Sequence, residues 1–210
     1  MSQPNIYFEV SFTEPQAHYI DVRMEVSGLN QPELELIMPV WTPGSYLIRE
    51  FSKNLESFKV ISAGKPVPHQ KLRKNSWLIF TQNLENIAVF YRIYAFEVSV
   101  RTCFADLSHA FLSPTGLFLY PEGRLDLPLT VRINLPDYWK KISTGLDHYQ
   151  NEPCCFYAPN FDVLYDSPVE VGNQHVFGFT AAGVLHEVAM YNGGMYHEEK
   201  LIADFTRIVE

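Results

Sequence analysis

Residues 18–27, with the sequence HYIDVRMEVS, carry the pattern that decides the fold. Apolar and polar residues alternate through this stretch, and a period of two places every apolar side chain on one face of an extended strand. The pattern therefore predicts a β-strand with one buried face. Residues 130–135 (TVRINL) repeat the alternation and predict a second strand of the same kind. The apolar sets are Ile20, Val22, Met24 and Val26 in the first strand and Val131, Ile133 and Leu135 in the second.

Further runs of strand-forming residues occupy most of the remaining chain. Turn-forming residues separate them, as in the Ala-Gly-Lys-Pro segment at residues 63–66. Many short strands at this spacing predict a mainly β fold, either an antiparallel β-sandwich or a curved open sheet. A short helix is predicted within residues 44–54. The other predicted strands are residues 6–12, 34–38, 58–62, 77–81, 89–100, 117–120 and 161–165.

Composition and charge limit the classes of partner. The chain has 210 residues, a net charge of −8 and 47% hydrophobic residues, among them 15 Phe, 12 Tyr and 3 Trp. Such a chain can bury a large aromatic core without disulfides or metals. It has no basic stripe, which argues against nucleic acid or an anionic membrane surface as a partner. No stretch is long and apolar enough to predict a membrane span.

The cysteines and the N-terminal sequence favour a cytoplasmic location. Cys103 and the adjacent pair Cys154 and Cys155 are too few for a disulfide framework, so free thiols in a reducing compartment are expected. The first residues, MSQPNIYFEV, have no basic segment followed by an apolar run and so do not resemble a signal peptide.

The character of the sequence changes after Gly172. Residues 174–180 and 184–190 predict a strand pair, and a helix is predicted after them. The helix pattern still runs at Glu210, without a terminating Gly or Pro. We therefore expect a β domain over residues 1–172 and the truncated beginning of a second domain over residues 173–210. The apolar face of the helix consists of Leu201, Ile202, Phe205, Ile208 and Val209.

Two short motifs contain residue types that bind metals, but their spacing does not fit a metal site. His186-Glu187 begins like the zinc motif H-E-x-x-H, but residue 190 is Met and the segment is predicted to be a strand, not a helix. Cys154-Cys155 lacks both the C-x-x-C spacing and a second ligand pair. We therefore predict no metal ligands and no complete catalytic site in this sequence.

Two other segments are richer in functional side chains than a plain β domain requires. Residues 38–51 (MPVWTPGSYLIREF) bring Trp41, Tyr46, Arg49 and Glu50 around a bend fixed by two prolines and a glycine. Residues 100–114 (VRTCFADLSHAFLSP) place polar residues among aromatic ones after a strand, as ligand-binding surfaces often do. The alternative interpretation is structural, with a packed corner in the first segment and a loop whose polar side chains satisfy backbone groups in the second.

These segments resemble a known family. Residues 38–51 resemble the P-x-W-T-P-G-S-Y-x-x-R-E-F signature of the N-terminal domain of the M61 (glycyl aminopeptidase) family of zinc peptidases. Residues 101–123 (RTCFADLSHAFLSPTGLFLYPEG) resemble that family's later R-T-x-x-x-D block. Residues 161–173 (FDVLYDSPVEVGN) resemble its D-S-P-x-E-x-G-N segment.

The resemblance implies an N-terminal β domain, like that of M1 aminopeptidases, followed by a thermolysin-like zinc domain and in many members a PDZ-like domain. The zinc motif is absent from this sequence, so no zinc ligand or catalytic glutamate is assigned to any residue here. The fragment would need no cofactor, whereas the full-length parent would use Zn. The implied partners are the protein's own downstream catalytic domain and a peptide substrate.

Two sets of candidate residues follow from the resemblance and from the two rich segments. The first set would face the cleft and touch the substrate, and the second would form an interdomain or cleft surface. The substrate-binding candidates are Arg101, Thr102, Asp106, His109 and Phe111, and the surface candidates are Trp41, Tyr46, Arg49 and Glu50.

Two other functions remain open from the sequence. A free-standing β-sandwich module could bind peptide or carbohydrate through exposed aromatic residues such as Trp41, Tyr46 and Phe111. A scaffold domain could use the same loops only as an interdomain surface. A zinc motif encoded beyond Glu210 would favour the peptidase, and a stop codon there would favour the binding module.

Overall fold

The structure is a computed structural model that describes residues 4–28 and 30–210. Within these residues the chain forms eighteen strands and two α-helices, with 3-10 turns at Pro15–Ala17, Phe51–Asn54 and Pro114–Gly116. The strands are β1 (Asn5–Ser11), β2 (Tyr19–Ser27), β3 (Leu34–Ile37), β4 (Leu55–Ser62), β5 (Lys65–Pro66), β6 (His69–Arg73), β7 (Ser76–Ile79), β8 (Asn86–Tyr94), β9 (Phe104–Ala105), β10 (Ala110–Leu112), β11 (Tyr120–Pro121), β12 (Leu129–Asn134), β13 (Lys141–Thr144), β14 (Asp147–His148), β15 (Cys155–Ala158), β16 (Val169–Gly172), β17 (His175–Ala181) and β18 (Val184–Met190). The helices are α1 (Phe161–Tyr165) and α2 (Glu198–Val209).

The strands form one large sheet and three smaller ones. The large sheet has the order β14-β15-β12-β1-β2-β8-β4-β5, and its pairs are antiparallel except for the parallel pair of β1 and β12. Two four-stranded sheets have the orders β13-β16-β10-β9 and β11-β3-β7-β6. Strands β17 and β18 form a separate hairpin. The mainly β, largely antiparallel fold predicted from the sequence is confirmed.

The period of two explains why one face of β2 is buried in the core. Its four inward side chains are at most 3% exposed, whereas its outward residues remain partly accessible. Outward charges pair across the sheet, as Arg23 does with Glu9 at 3.1 Å and Arg92 with Asp21 at 2.8 Å. The inward face belongs to a single hydrophobic core that also contains residues of both four-stranded sheets. Burial of this apolar area is the main term that stabilises the sandwich.

The structure corrects four local predictions. The strand predicted at 117–120 is not formed as such, since residues 117–119 lie outside the strands and β11 begins at Tyr120. Residues 161–165 form α1 and not a strand, because Asn160 caps the helix by accepting a hydrogen bond from the Val163 backbone N–H at 2.9 Å. The strand predicted at 89–100 ends at Tyr94. The helix predicted within 44–54 is reduced to the 3-10 turn Phe51–Asn54.

The predicted C-terminal strand pair and helix are confirmed. Strand β17 pairs with β18 from His175↔Met190 to Ala181↔Val184, and α2 packs against β17. The ring of Phe205 stacks on that of Phe179 with centroids 6.2 Å apart. The apolar face is not covered at the C-terminal end of the helix, where Ile208 is 72% exposed. No helix of the described residues has the length and apolar character needed to cross a membrane.

Candidate functional site

A cavity lies between the sheet β13-β16-β10-β9 and the hairpin β17–β18. It has a volume of about 1110 Å³. The sheet contributes residues of β9, β10, β13 and β16 and of the loop before β10, and the hairpin contributes residues of β18. We call it the His109 cavity and define it by His109, Phe111, Glu170, His186, Glu187 and Tyr191.

His109 is held in this cavity by contacts on two sides. Its Nδ1 lies 2.7 Å from Oε1 of Glu170, and the two side chains are 15% and 16% exposed. The ring of Tyr191 stacks on the imidazole with centroids 3.7 Å apart and planes 15° apart. The Tyr191 hydroxyl also donates a hydrogen bond to Oγ of Ser108 at 2.7 Å. These contacts join the loop before β10 to the C-terminal hairpin.

The close approach of this loop to β16 depends on a glycine. A Cβ atom on Gly172 would lie 3.0 Å from Cβ and 3.4 Å from Cα of His109. The first distance is shorter than normal carbon–carbon van der Waals contact, so any larger residue would displace the His109 backbone. Gly172 therefore belongs to the site, and it is the glycine of the D-S-P-x-E-x-G-N segment.

Asp106 has a structural role in the same loop. Its Oδ1 accepts hydrogen bonds from the backbone N–H of Ser108 at 2.7 Å and of His109 at 3.1 Å. Burial alone would raise the pKa of Asp106, but hydrogen bonds from the Ser108 hydroxyl and from these N–H groups outweigh it and lower the pKa. The carboxylate thus stays ionised and fixes the turn that presents His109.

The five substrate-binding candidates do not come together as one group. His109 and Phe111 line the cavity, whereas Arg101, Thr102 and Asp106 do not. The Thr102 hydroxyl donates to the Glu97 carbonyl at 3.0 Å, and Arg101 is exposed on the adjacent turn. Of the five candidates, therefore, only His109 and Phe111 are placed to contact a ligand in this cavity.

The hairpin adds His186 and Glu187, which in the sequence resemble only the beginning of a zinc motif. His186 stacks on Phe179 with centroids 5.0 Å apart, and its buried Nε2 has no hydrogen-bond partner in the part of the chain that the structure describes. The neighbouring Glu187 is exposed at the cavity wall. The strand alternation placed these residues on a hairpin, but only the tertiary packing places the hairpin opposite His109.

Metal binding does not fit the residues present. Across residues 4–28 and 30–210, no group of three His, Cys, Asp or Glu side chains is close enough to hold one ion. A zinc site needs at least three such protein ligands around the metal.

The surface candidates lie elsewhere, around a second groove of about 390 Å³. Trp41 and Tyr46 line it, with ring centroids 5.6 Å apart. Arg49 and Glu50 do not line it. Arg49 braces the loop, because its backbone N–H donates to the Val40 carbonyl at 2.6 Å and its guanidinium to Oγ of Ser45 at 2.8 Å. Glu50 forms a surface ion pair with Lys74 at 3.0 Å, and a hydrogen bond from Lys74 lowers the pKa of its carboxyl group.

Comparison with known proteins identifies the family. Residues 7–173 match the peptidase M61 N-terminal domain. The structure of an aminopeptidase N family protein from Idiomarina loihiensis is 30% identical, with a TM-score of 0.90. The match covers 97% of this chain and 35% of that one, so this chain spans about a third of that protein. The search of curated proteins gave no match.

A second solved structure is more distant. An M1 zinc metallopeptidase from Deinococcus radiodurans is 10% identical, with a TM-score of 0.48, over 97% of this chain and 51% of that chain. The family match extends over most of the described β domain, including the loop that carries His109 and the groove that carries Trp41. The chain therefore belongs to the peptidase M61 N-terminal domain family.

Proposed function

We propose that this chain is the non-catalytic N-terminal part of a zinc-dependent aminopeptidase and that the His109 cavity forms one wall of its peptide cleft. The observation that carries the proposal is the cavity itself, which lies where the β domain meets the hairpin. In this proposal residues 1–172 form the β domain and residues 173–210 begin the catalytic domain. The membership in the M61 family supports this division of roles.

The charges of the cavity suit a peptide with a free amino terminus. Glu170 pairs with His109, whereas Asp147 and Glu187 line the wall without an ion-pair partner among the described residues. An unpaired carboxylate at a partly enclosed surface attracts a cationic group, and the α-ammonium group of a peptide is such a cation. Phe104 and Phe111 provide apolar surface beside these charges for a side chain of the peptide.

The proposal assigns the zinc and the chemical step to residues outside this chain. The side chains described here offer no set of three metal ligands, and no catalytic step is assigned to them. Their role would be to orient the peptide and to keep water from the cleft. We also place the protein in the cytoplasm, because its three cysteines are free thiols.

The division of roles is tested with two purified proteins. The 210-residue chain should not hydrolyse aminoacyl p-nitroanilides. The full-length protein should hydrolyse them, lose this activity in EDTA and regain it with Zn²⁺. EDTA-sensitive hydrolysis by the 210-residue chain would contradict the proposal. A stop codon directly after Glu210 would contradict it as well and would favour a free-standing binding module.

A further inference from the structure

The groove beside Trp41 combines aromatic walls with two carboxylates. We call it the Trp41 groove and define it by Trp41, Tyr46, Tyr120, Asp162 and Asp166. It shares no lining residue with the His109 cavity. Trp41 is 47% exposed and Tyr46 is 80% exposed, although both side chains are large and apolar enough to favour burial. Two such rings at a groove mark a surface suited to contact with a ligand.

The carboxylates of the groove have no cation of their own. Asp162 and Asp166 are exposed and form no ion pair within residues 4–28 and 30–210. Asp162 lies in the first turn of α1 and Asp166 directly follows its last residue, so the two like charges are four residues apart and repel each other slightly. A cation between them would remove this repulsion.

Three basic residues near the groove pair with other carboxylates, and Arg49 donates to Oγ of Ser45 in the loop that it braces. Lys74 pairs with Glu50 at 3.0 Å, and Arg73 pairs with Glu35 at 2.7 Å. Arg124, next to the groove residue Leu125, contacts Asp126 at 3.3 Å. The negative charge of the groove therefore has to be matched from outside this set of residues.

The groove is built before any ligand arrives. The turn at its rim is closed by the Ser45 N–H, which donates to the Thr42 carbonyl at 2.9 Å, and Gly44 supplies the positive φ of 74° that this turn needs. Two hydrogen bonds between Met38 and Asn75 fix the other side, at 2.8 and 2.9 Å. A rigid site loses little entropy when it binds a ligand.

We propose that the Trp41 groove binds the side chain of a Lys or Arg residue in an extended peptide segment of a partner protein. Aromatic faces attract a cation through their quadrupole, and the two carboxylates supply charge complementarity. Leu47 and Ile48 directly follow Tyr46 and are 71% and 83% exposed, so they offer apolar contact to the residues on either side of the cation. The proposal does not depend on the peptidase function, because binding is measured without any activity.

The experiment uses the intrinsic fluorescence of the 210-residue chain. Trp41 is the exposed tryptophan, whereas Trp77 and Trp139 are 4% and 2% exposed, so a ligand in the groove changes mainly the Trp41 emission. The probe is the blocked peptide acetyl-Ala-Leu-Arg-Leu-Ala-amide, and its control contains neutral citrulline in place of arginine. We expect a saturable change with the arginine peptide and binding at least roughly tenfold weaker for the citrulline peptide.

Variants locate the binding in the groove. Asp162→Asn with Asp166→Asn should reduce the affinity for the arginine peptide to that for the citrulline peptide. Tyr46→Ala should weaken the binding of both peptides while Trp41 still reports it. The matched control, Glu85→Gln with Asp137→Asn, removes two exposed negative charges outside the groove and should leave the affinity unchanged.

Three results would each overturn the proposal. The first is no saturable response to the arginine peptide up to roughly 10 mM, which is weaker than a specific contact of this kind provides. The second is equal affinity for the arginine and citrulline peptides. The third is an equal loss of affinity in the groove variant and the control variant, which would indicate long-range attraction alone.

Discussion

At the scale of single residues, Gly172 offers a direct test of the packing around His109. We expect Gly172→Ala to lower the free energy of unfolding by about 1–2 kcal/mol, because the new methyl group would meet the His109 backbone and Cβ. Urea denaturation measures this change. Gly145→Ala is the matched control, since Gly145 lines the same cavity but a methyl group added there would have no neighbouring atom within 4 Å. Equal stability of the two variants would contradict the packing argument.

The three cysteines should differ in reactivity by their burial. Cys103 is buried, and this burial raises the pKa of its thiol to about 12 although the Ser113 backbone contributes in the opposite direction. Burial likewise raises the pKa of Cys155. At pH 8 both groups are therefore thiols and not the reactive thiolates. Cys154 is only partly buried.

We accordingly expect an aromatic disulfide reagent to label Cys154 rapidly at pH 8 in the folded protein. Cys103 and Cys155 should react only as the protein unfolds, because unfolding exposes them and returns their pKa toward the ordinary value. Mass spectrometry of the labelled peptides with and without urea measures the order. Simultaneous labelling of all three cysteines without urea would show that the core is not closed around them.

The candidate residues show what a sequence can and cannot reveal at this scale. The mixture of polar and aromatic residues in 100–114 singled out a segment of which His109 and Phe111 line the cavity. The composition of the segment does not show which way each side chain points. Asp106 turns back to bind the backbone of its own loop, and His109 faces the cavity, although both have the same kind of neighbours in sequence. Their part in substrate binding stays a prediction.

At the scale of elements, α1 shows how a short segment can mislead. The sequence FDVLY alternates polar and apolar residues at its start and contains β-favouring types, so its pattern predicts a strand. The residue before it, Asn160, decides otherwise, because its side chain caps the first turn. A pattern of five residues fits both periods, and the capping residue was the signal that could have separated them.

This cap can be removed by mutation. We expect Asn160→Ala to lower the free energy of unfolding by about 1 kcal/mol, since the Val163 N–H loses its acceptor. Asn160→Asp should retain most of the stability, because aspartate also caps helices. Urea unfolding of the three proteins compares them. A loss as large for Asn160→Asp as for Asn160→Ala would mean that the amide group has another role.

The strands also differ in how well the sequence predicts them. Long strands such as β2 and β12 are predictable, because several alternating residues define the buried face without further information. Strands β9, β10 and β14 have two or three residues each, and the sequence patterns do not predict them. Such short strands form because tertiary contacts hold their backbone in place, and a local sequence pattern does not predict those contacts.

At the scale of the whole molecule, the C-terminal hairpin is joined to the β domain by few strong contacts. Two of these contacts are the stacking of the Tyr191 ring on His109 and the hydrogen bond from its hydroxyl to Ser108. The sequence predicted the hairpin and the change of character after Gly172, but it contained no sign that Tyr191 would reach back 82 to 83 positions along the chain. If the hairpin begins a second domain, this contact sets how the two parts meet.

We therefore expect Tyr191→Ala to loosen the hairpin while leaving the large sheet intact. The lost stacking and hydrogen bond are together worth about 1–2 kcal/mol, which corresponds to roughly tenfold faster amide hydrogen exchange in β17 and β18. Tyr191→Phe keeps the ring on His109 and should give an intermediate rate. Tyr46→Ala, on the far groove, should leave the hairpin unchanged. Exchange that accelerates equally in β2 would show global destabilisation, and unchanged exchange in β17 and β18 would show that other contacts hold the hairpin.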